Sequence, residues 1–263
     1  MRCLALRWAV AGLMSATLAG CSSGTEPVPG EQATRLSVPA GSQQVWCAGA
    51  GPAVVLVNGV GDDATSAQWL EVERALAKDA RVCRYDRFGT GESSVPVGGR
   101  GADELATELD AVVEHAGGDG VIVVAHSFGG YLAMVYTDRH PDRVDGLVLV
   151  DALEPSVGLL RGTGATTLDD VAMANEQLDL GDVETAAGAV TKLKGDPPLV
   201  VLSRGRDTTE SWTTGQEHLA SLSGSSDRKV VAGAGHQIPS DAPQVVVSAV
   251  EGVLDRLRVT QPR

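Results

Sequence analysis

The sequence predicts an α/β fold in which a mostly parallel sheet is covered by helices on both faces. Several runs of Val, Leu and Ile lack the polar alternation of a half-exposed strand, as expected for strands buried on both sides. Segments with helical periodicity separate these runs. The 263 residues are 43% hydrophobic, enough for one substantial core, so we expect a single folded domain.

Eight segments have the pattern of strands, and helical segments lie between most of them. The predicted strands, in chain order, are ATRLSVP, QQVWCAG, PAVVLVNG, RVCRYD, VIVVAHS, GLVLVDA, PPLVVLSRGRD and RKVVAGAGH. The first two are expected to form a leading hairpin. The predicted helices are SAQWLEVERALAKD, GADELATELDAVVEHAG, FGGYLAMVYTDRH, TESWTTGQEHLASLS and APQVVVSAVEGVLDRLRV. Residues 153–196 interrupt the alternation with a stretch rich in Gly, Thr, Asp and Ala, which we interpret as a short lid.

The N-terminus has the features of an export signal. Residues 1–20 contain two arginines, an apolar run too short for a stable membrane span, and then small residues. The end of this stretch, Leu-Ala-Gly-Cys, resembles the lipobox of bacterial lipoproteins, which implies cleavage before Cys21 and lipidation of its thiol. We therefore expect a signal peptide at 1–20, a tether at 21–32 and the folded domain at 33–263. The protein would be exported and held by lipid at the outer face of a bacterial membrane. A simple secretory signal or an uncleaved anchor is the alternative.

Charge and residue spacing argue against two classes of function. The chain has 21 basic and 34 acidic residues, so a nucleic-acid-binding surface is not expected. His, Cys and Asp residues do not cluster with the spacing of metal ligands, and we predict neither a metal nor a cofactor.

The end of the fifth predicted strand indicates a nucleophile. There a β-branched run leads into Ala-His-Ser-Phe-Gly-Gly and then directly into a helix. A serine at such a sharp turn can be reached by a base and by backbone amides, so Ser127 is the candidate. Its neighbours Ala125 and Gly129 are small enough for a tight elbow, and Gly130 would let the helix pack against the sheet. Ala125 replaces the first Gly of the usual Gly-x-Ser-x-Gly pattern.

The order of these elements resembles the α/β-hydrolase fold. The resemblance covers nearly the whole chain from about residue 33, and its motifs are VNGVG, RYDRFGTGESS, AHSFGG, HPDRVDGLVLVDA, SRGRD and GAGH. It implies a mostly parallel eight-stranded sheet flanked by helices. A nucleotide-binding doubly wound fold is the rival, but NGVGDD lacks the third glycine of the phosphate-binding motif.

The catalytic partners of Ser127 are expected directly after later strands of the sheet. His236 follows the last predicted strand and is the candidate general base, whereas His126 is expected to point elsewhere. Asp207 follows the strand PPLVVLSRGR and is the favoured acid, which would give the chain order Ser, Asp, His of this fold. Asp151 at the end of GLVLVDA is the alternative acid, because some relatives place the acid after that strand.

The resemblance also predicts the donors that would bind an oxyanion. One is the backbone amide of Phe128, directly after the nucleophile, and the other is the amide of Val60 in the loop after the third strand. Asn58 stands at the start of that loop where many relatives have His, so its hydrogen bonding is left open. Asp86 in RYDRFGTGESS is interpreted as a turn anchor and not as a second nucleophile.

Two cysteines remain inside the predicted domain. The fold that the resemblance implies places their strands side by side, so we expect a disulfide between Cys47 and Cys83 in an exported protein. Two buried free thiols are the alternative.

A serine nucleophile predicts hydrolysis of an ester or amide through an acyl-enzyme, since relatives that act on haloalkanes or epoxides carry Asp at the elbow, and a carboxylic ester is the first expectation. The lid contains no Phe, Tyr or Trp, which favours a small or acyl-chain substrate. A prolyl-aminopeptidase-like peptidase is the first alternative, because Glu154, Asp169, Asp170 and Glu176 could bind a free amine. A non-catalytic binding lipoprotein is the second. The sequence does not indicate the oligomeric state.

Overall fold

The chain forms one eight-stranded sheet with helices on both faces. The computed structural model describes residues 28–157 and 175–260. The strands are β1 (Gln32–Val38), β2 (Gly41–Ala48), β3 (Ala53–Val57), β4 (Arg81–Tyr85), β5 (Val121–His126), β6 (Val144–Val150), β7 (Leu199–Arg204) and β8 (Ser226–Val231). The helices are α1 (Ala67–Leu76), α2 (Ala102–Ala116), α3 (Gly129–Arg139), α4 (Leu180–Gly188), α5 (Glu210–Ser221), α6 (Ile238–Asp241) and α7 (Pro243–Thr260).

The sheet is parallel except at one edge, as the sequence predicts. Its strand order is β1-β2-β4-β3-β5-β6-β7-β8, and the leading hairpin pairs antiparallel with itself and with β4. The other strand pairs are all parallel. Strands β3 and β5 are buried along their whole length because helices cover both faces.

Two apolar clusters, one on each face, make up most of the core. The first cluster packs α2, α3, α4 and α5 against one side of the sheet, and Val123 and Leu149 are among its strand residues. The second packs α1, α6 and α7 against the other side, where Val124 and Val148 take part. Successive residues of β5 and β6 thus point to opposite faces, as in any strand. The two central strands are therefore packed on both sides.

The predicted disulfide is present at the antiparallel edge. Cys47 of β2 lies directly opposite Cys83 of β4, and their sulfurs are bonded. Facing positions on adjacent strands bring two Cβ atoms close enough for a bridge.

The start of the domain differs from the sequence-based boundary. Val28 is buried against Ala48 and Leu70, and the carboxylate of Glu31 forms an ion pair with buried Arg84. Residues 28–32 therefore belong to the domain and not to the tether. The predicted signal peptide at 1–20, the lipidation site Cys21 and the tether up to residue 27 lie outside the described residues.

The predicted lid is described only at its two ends. Residues 158–174 lie outside the described part, and the returning segment contains helix α4. Leu153 is part of the core, and Val157 and Leu178 pack against it, so these three aliphatic side chains fasten the insertion to the body. No helix within residues 28–157 and 175–260 is both long and apolar enough to cross a bilayer.

Candidate active site

Ser127 occupies a strained turn between β5 and α3. Its φ of 55° lies in the left-handed region, which few non-glycine residues adopt, and such strain is typical of a nucleophile elbow. A Cβ on Gly129 would lie 2.7 Å from the carbonyl oxygen of Asn58, and one on Gly130 would lie 2.5 Å from the Cβ of Ala152. The two glycines thus allow the backbone after β3 and the segment after β6 to approach the elbow closely.

The structure brings Ser127 and His236 together, as the sequence predicts. His236 lies in the loop between β8 and α6, and its Nε2 is 2.9 Å from the Oγ of Ser127. Its Nδ1 is 2.6 Å from the Oδ2 of Asp151. Because a carboxylate only accepts, Nδ1 carries the proton and Nε2 is left to accept the serine hydroxyl hydrogen.

The choice of Asp207 as the favoured acid is wrong in this geometry, since Asp151 occupies the position beside His236. Asp207 lies three residues beyond the end of β7, where its side chain is exposed. Asp151 directly follows β6, the immediate neighbour of β5, and is completely buried. The strand that pairs with the nucleophile's own strand therefore supplies the carboxylate.

Asp151 is held by donors that the sequence analysis did not single out. Its Oδ1 accepts from the backbone amide of Arg204 at 2.9 Å and from the indole Nε1 of Trp212 at 3.1 Å. Its Oδ2 also accepts from the guanidinium of Arg204 at 3.2 Å. These donors compensate the burial of a carboxylate and fix its orientation toward His236. Arg204 and Trp212 carry no local sequence signal for this role, because they reach Asp151 from a neighbouring strand and from α5.

His126 is also part of the site, although the sequence analysis expected it to point elsewhere. Its Nε2 lies 2.8 Å from the backbone oxygen of His236, and the two rings are 4.7 Å apart. Burial, reinforced by the nearby imidazole of His236, lowers the pKa of His126 to about 4. The ring is therefore neutral at pH 7 with its proton on Nε2, and it supports the loop that presents His236.

The two predicted oxyanion donors belong to segments that meet beside Ser127. Phe128 is fully buried and stands at the start of α3, directly after the elbow. In the loop after β3, a Cβ on Gly59 would lie 3.3 Å from the Cβ of Ser127. The loop that contains Val60 therefore passes next to the nucleophile. Asn58 at its start donates from Nδ2 to the backbone oxygen of Tyr85, with a long separation of 3.4 Å.

Asp86 anchors a turn, as predicted. Its two carboxylate oxygens accept from the backbone amides of Ala64 and Glu92, each at 2.7 Å. A Cβ on Gly91 would overlap the same carboxylate, so this position requires glycine. Within residues 28–157 and 175–260, no three His, Cys, Asp or Glu side chains are grouped so that they could hold a metal ion.

Comparison with known proteins identifies the fold of this site. A family model described as the alpha/beta hydrolase fold matches residues 52–180. The chain is 36% identical over 119 residues to 2-hydroxy-6-oxo-2,4-heptadienoate hydrolase of Pseudomonas putida, a match that covers 44% of this chain and 43% of that protein. An uncharacterised protein of Mycobacterium tuberculosis is 34% identical over 105 residues, which are 40% of this chain and 30% of that one.

A solved structure shares the fold over most of its length. The epoxide hydrolase CorEH superposes with a TM-score of 0.68 at 19% identity, covering 87% of this chain and all of that one. These two relatives are matched over less than half of their own length, whereas the structural likeness covers 87% of this chain.

Proposed function

Because the chain belongs to the α/β-hydrolase fold superfamily, we propose that it is a serine hydrolase that cleaves a carboxylic ester through an acyl-enzyme. The observation that supports this proposal most strongly is the continuous set of contacts from Ser127 through His236 to Asp151, with separations of 2.9 Å and 2.6 Å. A hydroxyl, an imidazole and a carboxylate in this order form the arrangement that makes serine nucleophilic at neutral pH.

The proposed reaction begins with attack of the Ser127 Oγ on the ester carbonyl. His236 Nε2 takes the hydroxyl proton, and the Asp151 carboxylate stabilises the imidazolium that forms. Collapse of the tetrahedral intermediate expels the alcohol, which receives the proton from His236. Water activated by the same imidazole then hydrolyses the acyl-enzyme and regenerates Ser127.

The developing oxyanion would be stabilised by the backbone amides of Phe128 and Val60. Both residues belong to segments that meet at Ser127, and an amide aimed at the oxyanion typically contributes about 10²- to 10³-fold to kcat. This set of donors fits attack on a carbonyl carbon.

We propose that the substrate is a neutral ester of a small or aliphatic carboxylic acid. The insertion at 153–196 contains no aromatic residue that could stack on a ring. The formal net charge of −13 disfavours the approach of anionic substrates.

The peptidase alternative receives less support. Of the four acidic side chains that could bind a free amine, Glu176 is paired with Arg87 and Glu154 accepts from the backbone amide of Ser156 and contacts His218. Both carboxylates are thus engaged inside the protein. The other two, Asp169 and Asp170, lie outside the described residues. The non-catalytic alternative does not account for the contact of His236 with Ser127.

Hydrolysis of p-nitrophenyl acetate, with aminoacyl p-nitroanilides in parallel, tests the proposal. We expect the wild-type protein to hydrolyse the ester and to act at least 100-fold more slowly on the anilides, and Ser127→Ala to lose ester turnover while remaining folded. An equal rate of ester hydrolysis in the Ser127→Ala protein would refute the proposal, and faster cleavage of the anilides would support the peptidase.

We also propose that the protein is exported and lipid-anchored through Cys21. The disulfide between Cys47 and Cys83 fits an oxidising compartment. Expression in a bacterial host with radiolabelled palmitate should label the wild-type protein and not Cys21→Ser. Labelling of both proteins, or of neither, would contradict this proposal.

A further inference from the structure

Arg87 is buried behind the loop that follows β3. Its side chain is 1% exposed and is paired with the carboxylate of Glu176, which is 0% exposed. Its Nη1 donates to the backbone oxygen of Asn58 at 2.7 Å, and its Nη2 donates to the backbone oxygen of Gly59. A buried cation thus binds two successive carbonyl groups of the loop that contains Val60.

The carboxylate of Glu176 binds a backbone amide of the same loop, directly after Val60. Its Oε1 accepts from the backbone amide of Gly61 at 2.7 Å and from the Arg87 Nη2 at 3.0 Å. The guanidinium of Arg87 also stands 5.6 Å from the ring centre of Phe128, the residue that would supply the second oxyanion donor. The pair therefore touches both segments that surround the Ser127 hydroxyl.

These bonds determine the direction of the Val60 amide. In a trans peptide, the C=O and the N–H point to opposite sides of the chain, and no cis peptide occurs in the described residues. Because the oxygen of Gly59 points to Arg87, the N–H of Val60 must point away from it. The same loop passes beside the elbow, where a Cβ added to Gly59 would lie 3.3 Å from the Cβ of Ser127. A Val60 N–H that points away from Arg87 on this stretch can face the nucleophile.

We infer that Arg87 and Glu176 are a positioning pair that holds the Val60 amide toward the oxyanion. This inference rests on the proposed function, because it concerns the transition state of that reaction. Glu176 lies within the insertion, so the pair also ties the insertion to the reaction centre. A misdirected Val60 amide would weaken transition-state stabilisation and leave ground-state binding nearly unchanged.

Arg87→Lys tests this role, with Arg84→Lys as the matched control. Arg84 is also buried and paired, with Glu73, and donates to the backbone oxygen of Ala64, but it contacts neither Glu176 nor residues 58–61. We expect Arg87→Lys to lower kcat for p-nitrophenyl acetate by about 10²-fold with KM within threefold. Arg84→Lys should lose similar thermal stability and keep kcat within threefold. Equal loss of kcat in both variants, or a loss confined to KM, would overturn the inference.

Crystal structures separate this inference from the proposed function. In the wild-type protein treated with a fluorophosphonate, the phosphonyl oxygen should accept from Val60, with Gly59 still bound to Arg87. In Arg87→Lys, the peptide between Gly59 and Val60 should be rotated or mobile. If that peptide keeps its direction in both Arg87→Lys and Glu176→Gln, the pair does not position it, whatever the activity. If Arg87→Lys does not fold, Glu176→Gln and the wild-type adduct still decide the question. Absence of ester hydrolysis and of adduct in the wild type would instead overturn the proposed function.

Discussion

The ends of β6 and β7 look alike along the chain and differ in space. Each strand is an apolar run followed by an aspartate, and both aspartates have a left-handed backbone, with φ of 43° at Asp151 and 52° at Asp207. Asp151 is buried and accepts from His236, Arg204 and Trp212. Asp207 is exposed in the loop before α5. The same local pattern therefore produces a site residue at one strand and a surface residue at the next.

The position of each aspartate relative to the end of its strand accompanies the difference. His126 at the end of β5 pairs with Val150 at the end of β6, so Ser127 and Asp151 leave their strands at the same level and side by side. Asp207 stands three residues beyond the end of β7, and its side chain is exposed. Asp151 therefore occupies the place beside His236, and the following predictions test this assignment.

The largest expected effect is on the acid itself. Asp151→Asn should lower kcat for p-nitrophenyl acetate by about 10³- to 10⁴-fold, because an amide does not stabilise the imidazolium and can favour the wrong tautomer of His236. Asp207→Asn is the matched control and should change kcat by less than threefold. The reverse pattern would restore Asp207 as the acid and invalidate the comparison.

The disulfide should affect stability and not catalysis. Replacing Cys47 and Cys83 together by Ala opens a loop with a separation of 36 residues. The chain-entropy estimate for such a loop is a loss of about 3 to 4 kcal/mol in the free energy of unfolding. Urea denaturation measures that loss, and kcat of the folded variant should stay within twofold, since β2 and β4 do not carry the triad. A large fall in kcat would show that the β5–β6 region depends on the sheet edge.

His126 should make stability depend on pH. Its folded pKa is about 4 and its ordinary value is 6.5, so between these values the unfolded chain binds a proton that the native protein excludes. Stability is therefore highest above pH 6.5 and falls by about 3 kcal/mol as the pH drops toward 4. Urea denaturation across this range should show a steeper loss in the wild type than in His126→Gln. Parallel curves would mean that His126 is not held neutral.

The smallest expected effect concerns the indole donor to Asp151. Trp212→Phe removes one hydrogen bond, worth about 1 kcal/mol, so kcat should fall by about fivefold through a less well oriented His236. Trp69→Phe is the control, since Trp69 is also buried but lies in α1. Equal kcat values for both variants would mean that Arg204, and not the Trp212 indole, orients Asp151.

Much of the fold and part of the site could be predicted from sequence. The eight strands and the elbow are local patterns, and Ser127 and His236 follow strands whose order the resemblance to a known fold supplies. The choice between Asp151 and Asp207 could not be made, because each aspartate follows an apolar strand and the contact with His236 arises only in the folded chain. Arg87 and Glu176 are 89 positions apart, and the pairing of two distant buried ions has no local signature. The role of His126 depends likewise on a contact with a distant loop.

Reaction with a fluorophosphonate probe, mapped by tandem mass spectrometry, decides whether Ser127 is a nucleophile activated through His236 and Asp151. We expect a single adduct on Ser127, formed much more slowly in Asp151→Asn and at the wild-type rate in Asp207→Asn. An adduct on another residue, no adduct under conditions that label a known serine hydrolase, or slowing in Asp207→Asn alone would contradict it.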